Sequence, residues 1–296
     1  MIAVLVPTLN EEEAVKQVLE GFPEEYSGHE LKKYVIDGGS TDATVEKAKE
    51  AGAEVLHQRL EGGKGDGVRQ ALNEIDADIY VMIDGDATYD PSEVGKLLEP
   101  ILAGEAEHVI GWRTNRTPGS IPLLNRAGNR IFNLVTSFST GVKVHDMLSG
   151  FRAFTKESLD YTATTQPGFG IETEMTFTAI ENNVPLSEVE ISYNERKGES
   201  KLHPVMDGWR IINTIIWSIR DMNPLKFFSV AALFMFVLAS YPGYLTLMQK
   251  LQQGRITNLG PALFASLLAI IGVQLLIFGL LADQIKNVEK RLRNND

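Results

Sequence analysis

An α/β sheet carrying flanking helices, followed by an apolar two-helix hairpin, is the fold that the sequence predicts. Three observations point to it. Short β-branched runs alternate with helical periodicity over roughly the first 113 residues. Each run ends in a polar cluster rich in Gly or Asp, and two long uncharged segments follow later in the chain. At 296 residues a soluble domain plus an appendage is expected.

Residues 2–6 form a first strand closed by Pro7, and Asn10-Glu11-Glu12-Glu13 opens a helix with Ala14, Val15, Val18 and Leu19 on one face. Residues 33–36 form a second strand that runs into Asp37-Gly38-Gly39-Ser40, and residues 41–51 a helix with acidic residues near its start. A third strand, 79–83, runs into Asp84-Gly85-Asp86, with a helix over 91–102, and Val109-Ile110 ends in Gly111-Trp112-Arg113. This alternation predicts parallel strands, with ligands beyond their carboxyl ends, where the polar clusters fall.

The pattern is irregular through Gly119. Ile121, Leu124, Ile131, Leu134, Val135 and Phe138 then have the spacing of an amphipathic helix that carries Arg126 and Arg130. Such a helix packs on the sheet or faces a membrane. Met206, Trp209, Ile212, Ile216 and Ile219 form a second stripe, suited either to a helix in the membrane interface or to one packed beneath the domain. Segments 227–248 and 261–282, each of about 22 uncharged residues, are long enough for tilted membrane spans. The chain thus divides into residues 1–203 (the soluble domain), 204–223 (an interfacial amphipathic helix) and 224–296 (the transmembrane hairpin and a basic tail).

Lys286, Lys290, Arg291 and Arg293 follow the second span and Arg210, Arg220 and Lys226 precede the first, against Lys250 and Arg255 in the connecting loop. By the positive-inside bias this multi-pass protein keeps its soluble domain in the cytoplasm. The N-terminal residues lack the basic start and apolar run of a secretion signal. A net charge of −11, from 39 acidic and 28 basic residues, disfavours a nucleic-acid partner yet leaves room for a local phosphate pocket. The chain has no cysteine, so a metal would need oxygen or imidazole ligands.

Asp84 and Asp86 emerge together after a buried strand, and oxygen-only ligands suit Mg²⁺ or Mn²⁺ shared with substrate phosphates. Asp-Gly turns are also common without function. Asp37 to Asp42 repeats the arrangement, with Ser40 or Asp42 serving as a helix cap, as a ligand contact, or as both. Gly62-Gly63-Lys64-Gly65 lacks the spacing of an ATP-type phosphate loop but suits a nucleotide edge or a diphosphate. Arg196, Lys197 and Lys201 form a basic cluster that is either a solvated turn or a phosphate site at the membrane surface.

Seven segments in this order resemble the family 2 inverting glycosyltransferases, in particular dolichyl-phosphate hexose synthases of archaeal type. They are Val6-Pro7-Thr8-Leu9-Asn10-Glu11-Glu12, Asp37 to Asp42, Gly63-Lys64-Gly65, Asp84-Gly85-Asp86, Gly111-Trp112-Arg113, Ser149-Gly150-Phe151-Arg152 and Gly198 to Leu202. The resemblance implies a glycosyltransferase-A type sheet and a donor site of Pro7, Thr8, Asn10, Glu11, Asp37, Gly39, Lys64, Asp84 and Gly85. It implies a metal on Asp84 and Asp86, with Glu172 or Glu174 nearby and Glu174 taken as the third ligand. It further implies an acceptor site of Arg113, Arg126, Arg130, Ser149, Arg152 and Lys201, with Arg113, Arg126, Arg196 and Lys201 joining Asp84 and Asp86 in catalysis.

The expected reaction moves one sugar from a nucleotide-sugar, a UDP-sugar before GDP-mannose, to dolichyl or polyprenyl phosphate with inversion. A phosphate acceptor is largely dianionic at neutral pH, with a second pKa near ~6, so no strong general base is needed. Rival readings are a polysaccharide-extending transferase, which would use more spans, a nucleotidyltransferase, which would not need the hairpin, and a non-catalytic scaffold, which would have no reason to keep Asp84 and Asp86. Gly243, Gly272 and Gly279 suit close helix packing within the hairpin or between copies of the chain.

Overall fold

The structure, a computed structural model, describes residues 1–59, 63–116, 133, 137, 141–158, 170–194, 220 and 223–293. It comprises two compact units, Met1–Ile211 and Ile212–Asp296.

In the first unit β1 (Ile2–Thr8) pairs in parallel with β3 (His29–Asp37) and β5 (Ile79–Met82). The sheet order is β2 (Glu25–Tyr26), β3, β1, β5, β7 (Arg152–Thr155), β6 (His108–Arg116), β8 (Leu186–Tyr193), and β4 (Glu54–His57) pairs in parallel with β3. The parallel arrangement expected from the alternation holds for β4, β3, β1 and β5. The sheet as a whole is mixed, because β7 runs antiparallel between β5 and β6. That reversal matters for the site. It sets Arg152 opposite Met82, so the residues just before β7 reach the edge where Asp84 follows β5.

Successive side chains of β1 enter opposite faces of the sheet, as a pleated strand requires. Ile2, Val4 and Val6 pack with Val15, Val18 and Leu19 of α1 (Val15–Glu20) and with Val94, Leu97, Leu98 and Ile101 of α4 (Val94–Leu102). Ala3 and Leu5 pack on the other face with Val68 and Ala71 of α3 (Lys64–Glu74) and with Ile171 and Met175 of α5 (Ile171–Glu181). Each such fully buried aliphatic side chain contributes about 1.5–3 kcal/mol. A central strand apolar on both faces therefore fixes the sheet's interior and leaves its carboxyl edge for polar residues.

Several boundaries differ from the sequence expectation. The helix expected over 41–51 is α2, Thr44–Glu50, and the one expected over 91–102 begins as a 3-10 turn, Pro91–Glu93, before α4. The glycine-rich stretch expected at a nucleotide edge opens α3. Gly63 at φ 79° precedes its first residue, and Gly67 lies so close to β3 that an added Cβ would stand 2.8 Å from Ile36 Cγ2. The glycines here serve helix entry and helix-to-sheet contact.

The second unit holds α6 (Pro224–Gln253) and α7 (Gly260–Arg293), two helices long and apolar enough to cross a membrane. Pro224 occupies the first turn of α6, and Gly254 ends it in the left-handed conformation. Only 11% of the apolar stretch of α6 and 17% of that of α7 is buried, whereas the core helix of a soluble protein is mostly buried. Added Cβ atoms at Gly272 and Gly279 would meet Phe236 at 2.8 Å and Phe228 at 2.9 Å, so these two glycines serve packing within the hairpin. Gly243 faces open space. A cavity of about 600 Å³ between the helices, lined by Leu238, Tyr241, Pro242, Leu245, Pro261 and Phe264 among others, is apolar and holds no group suited to the chemistry considered below.

Both amphipathic helices expected from the sequence, over 121–138 and 206–219, lie outside the described residues except for Asn133 and Ser137.

Candidate active site

The carboxyl ends of β1, β3 and β5 lie side by side, with Thr8 in register with Asp37 and Leu5 with Met82. Beyond this edge Lys64, the first residue of α3, donates hydrogen bonds to the carboxylates of both Asp84 and Glu172. Lys64 and Asp84 are each about one-third exposed, and Glu172 is 14% exposed. Burial alone would lower the Lys64 pKa. The negative charges of Asp84 and Glu172 outweigh it and hold the ammonium well above the ordinary lysine value. One turn further along α3, Arg69 pairs with Asp66 and, at 3.3 Å, with Glu174. Two cations of α3 thus meet the two glutamates in the first turn of α5.

This geometry separates the two glutamates that the sequence left as alternatives. Glu172 shares a cation with Asp84, whereas Glu174 is 3% exposed and turned to Arg69. The expected three-carboxylate ligand set of Asp84, Asp86 and Glu174 is therefore not assembled, and no group of three His, Cys, Asp or Glu side chains able to hold a metal occurs among the described residues. Asp86 is buried, with one oxygen accepting from the Thr88 amide at 3.1 Å and the Thr88 hydroxyl at 2.6 Å. Two oxygen-donor carboxylates still suit Mg²⁺ or Mn²⁺, which take one or two protein carboxylates and complete their shells with substrate phosphates and water. Space beside Asp84 comes from Gly150, where an added Cβ would collide with the Asp84 carboxylate.

The donor-side residues divide between bracing and exposure. Asp37 Oδ1 accepts from the Ser40 amide at 3.0 Å, and Oδ2 accepts from the Gly39 amide at 3.3 Å and lies 3.2 Å from His57 Nδ1. Burial pushes its pKa up, but the hydrogen bonds from Ser40, His57 and Gly39 prevail and lower it. Gly39 has φ 93°, the left-handed region that turns the chain back over Asp37. The Asn10 amide donates to Ser40 Oγ at 2.9 Å, and Asn10 Oδ1 accepts from the Thr41 amide at 2.7 Å. The Glu11 amide donates to Thr44 Oγ1 at 2.8 Å. The loops after β1 and β3 are thereby stitched together, with Pro7 half-buried at their base. Gly85 is buried, and an added Cβ there would stand 2.6 Å from Thr8 Cγ2. Thr8 is 5% exposed, and its hydroxyl has no partner among the described residues.

Two residues expected at the acceptor phosphate occupy the interior instead. Ser149 is fully buried. Arg152 is also fully buried, and its guanidinium donates to the carbonyls of Ser149 (2.6 Å), Met147 (3.2 Å) and Glu172 (2.9 Å) and to Thr176 Oγ1 (3.1 Å). Its work is to fold the turn before β7 and to hold the backbone of Glu172. Burial lowers the Arg152 pKa without removing the charge, since arginine stays protonated in proteins.

Arg113 stands 11% exposed in a two-pronged pair with the buried Asp146, at 2.7 and 2.6 Å, with its guanidinium 5.0 Å from the Tyr193 ring centre. Asp146, Glu188 and His145 were not singled out from the sequence. His145 Nδ1 lies 2.7 Å from Glu188, and the His145 ring stacks on Trp112 at 4.4 Å. His57 carries no local signal either, because β4 is only four residues long. Arg126, Arg130, Arg196 and Lys201 lie outside the described residues.

Residues 3–162 match the family model described as glycosyl transferase family 2, and residues 223–288 match that of the GtrB C-terminal hairpin. The chain belongs to glycosyl transferase family 2 and is a glycosyltransferase. It is 37% identical to glycosyltransferase AglJ of Haloferax volcanii, over 98% of this chain and 95% of that one. A dolichyl-phosphate hexose transferase of the same organism is 34% identical, over 73% of this chain and 92% of that one. Glucosyl-3-phosphoglycerate synthase from Mycobacterium tuberculosis, solved with Mn²⁺, UDP-glucose and phosphoglyceric acid, superposes with a TM-score of 0.60 at 24% identity, covering 74% of this chain and 79% of that one. That likeness establishes the glycosyltransferase-A type fold.

Proposed function

We propose that this glycosyltransferase moves one hexose or N-acetylhexosamine from a nucleotide-sugar, a UDP-sugar before GDP-mannose, to dolichyl or polyprenyl phosphate with inversion. The observation that carries the proposal is the union in one chain of a strand-end cluster, Lys64, Asp84 and Glu172, with an apolar hairpin of the GtrB type. The relative named as a dolichyl-phosphate hexose transferase supports the acceptor class, as does the undecaprenyl-phosphate mannosyltransferase of Micrococcus luteus at 27% identity.

In this reading the soluble domain of residues 1–203 binds the donor along the edge formed by Pro7, Thr8, Asn10, Glu11, Asp37 and Gly39. Asp84 and Asp86 hold Mg²⁺ or Mn²⁺, which when bound neutralises charge on the leaving diphosphate. Lys64 supplies a further positive charge to that diphosphate. The lipid phosphate arrives largely dianionic and attacks the anomeric carbon opposite the leaving group, so no side chain has to take a proton. Arg113, Arg126, Arg130, Arg196 and Lys201 are the cations assigned to gathering the acceptor phosphate. Residues 224–296 would form the anchor, with the catalytic domain cytoplasmic by the bias of Lys and Arg around the spans. An enzyme tied to the bilayer meets its lipid along a surface instead of through a volume.

The test is transfer of label from UDP-glucose, UDP-N-acetylglucosamine or GDP-mannose into the organic phase by the purified full chain with dolichyl phosphate and Mg²⁺ or Mn²⁺. Transfer from one donor, lost in Asp86→Ala, establishes the reaction and the sugar. Failure of all three donors to transfer or to bind overturns the proposed reaction.

A further inference from the structure

We propose that Lys64 is an exchangeable counter-cation of the donor site, which yields Asp84 to the incoming diphosphate and its divalent cation while staying anchored on Glu172. This inference rests on the donor-site reading above and adds the residue that couples cation binding to nucleotide binding.

Asp84 and Glu172 come from different elements, the segment after β5 and the first turn of α5, and they share a single ammonium. Two carboxylates brought this close repel each other unless a cation lies between them, and Lys64 is that cation. A divalent cation on Asp84 competes with Lys64 for the same carboxylate, because two positive centres against one carboxylate repel in turn. Metal alone must therefore evict Lys64.

Metal carried with a nucleoside diphosphate meets a different balance. The displaced ammonium then gains phosphate oxygens as partners, and a flexible four-carbon stem lets it follow them. Glu172 is placed to keep hold of Lys64 during this exchange. It is 14% exposed, and its backbone carbonyl is fixed by the buried Arg152 at 2.9 Å. Arg69 does not compete for the position, since it is matched to Asp66 and Glu174 one turn along α3. Cation and nucleotide should thus favour each other's binding, with Lys64 as the source of the coupling.

The test uses the full-length protein in detergent. Mn²⁺ binding without nucleotide is read from the free-ion EPR signal, and UDP or GDP binding is read by calorimetry with and without Mn²⁺. Wild type is expected to bind Mn²⁺ weakly by itself and to bind one nucleotide at least about tenfold tighter with Mn²⁺ than without. Lys64→Met should bind Mn²⁺ alone about tenfold tighter than wild type and show a smaller Mn²⁺ effect on the nucleotide. Arg69→Met, which removes a nearby positive charge paired with Asp66 and Glu174, should change Mn²⁺ affinity by no more than about twofold.

Lys64→Met binding Mn²⁺ no tighter than wild type overturns the exchange, and so does an equal gain in Arg69→Met, which would mark a general field effect. If Lys64→Met does not fold, Glu172→Gln decides. Lys64 then depends on Asp84 alone, so Mn²⁺ binding without nucleotide should weaken severalfold, and unchanged or tighter binding overturns the proposal. Absence of any nucleotide binding with Mn²⁺ in wild type overturns the donor-site reading itself, whereas nucleotide binding with an unaltered Lys64→Met overturns only the role of Lys64.

Discussion

Replacing Arg152 with methionine separates a bracing role from an acceptor-binding one. The side chain donates to the carbonyls of Met147, Ser149 and Glu172 and to the Thr176 hydroxyl, and lies 3.5 Å from His108 Nε2, with no exposed surface. Methionine fills much of the volume but removes every hydrogen bond that the guanidinium donates, while the Glu172 carbonyl keeps the Thr176 hydroxyl at 2.8 Å. A single buried acceptor left unsatisfied costs about 1–3 kcal/mol, and a broken buried charged network about 3–5 kcal/mol, since neighbouring losses do not simply add. We expect a loss of about 3–5 kcal/mol in the catalytic unit. At about 2–4 °C per kcal/mol for a domain of this size, its unfolding midpoint should fall by roughly 10 °C. The assay is thermal unfolding of the full chain in detergent, followed by near-ultraviolet circular dichroism, alongside steady-state kinetics below the midpoint. An unchanged midpoint together with a raised KM for polyprenyl phosphate would refute the bracing role and restore Arg152 to the acceptor.

Three further outcomes follow from the same geometry. Gly150→Ala places a methyl group against the Asp84 carboxylate, so nucleotide-sugar affinity should drop about tenfold at a cost of about 1–3 kcal/mol, read by calorimetry and thermal unfolding. Asp37 is held below its ordinary pKa of 3.8, so its stabilisation is present above that value and disappears as pH falls through the lower folded value. Asp37→Asn should flatten the acid limb of a stability-against-pH curve below about pH 4 and leave its slope between about pH 6 and 8 unchanged. Gly272→Leu should destabilise the hairpin by about 1–3 kcal/mol through its clash with Phe236, whereas Gly243→Leu should leave hairpin stability intact and abolish detergent-resistant crosslinking if copies of the chain pack through that face.

What the sequence disclosed follows the range of each physical signal. A central strand such as β1 is written in consecutive β-branched residues and a span in uninterrupted apolar length, so both are legible in a local window. The opening of α3 was not, because its glycines suggest a loop until Ile36 shows why Gly67 must lack a side chain. The mixed sheet was not legible either, since β7 is four residues long and its direction depends on strands far away in the chain. The motif residues illustrate the same limit. The resemblance places Ser149 and Arg152 at the acceptor phosphate, yet only the tertiary structure supplies the carbonyls that make a buried guanidinium tolerable. The Lys64 to Glu172 pair joins residues 108 apart and has no local signature.

This difference in range bears on how the site must work. Lys64, Arg69 and Arg113, cations near the strand edge, each face a carboxylate: Lys64 faces Asp84 and Glu172, Arg69 faces Asp66 and Glu174, and Arg113 faces Asp146. A phosphate approaching these residues does not enter a field of unmatched positive charge, and its binding is an exchange of one anion for another. Exchange costs least where the displaced pair is partly exposed and the cation is flexible, which describes Lys64 with Asp84 at about one-third exposure. It costs most where the pair is buried and two-pronged, as in Arg113 with Asp146. That difference favours Lys64 over Arg113 as the contact of the proposed donor diphosphate. Arg113 is fitted to present a fixed, internally balanced charge beside Tyr193, and a phosphate would meet that charge without breaking the pair beneath it.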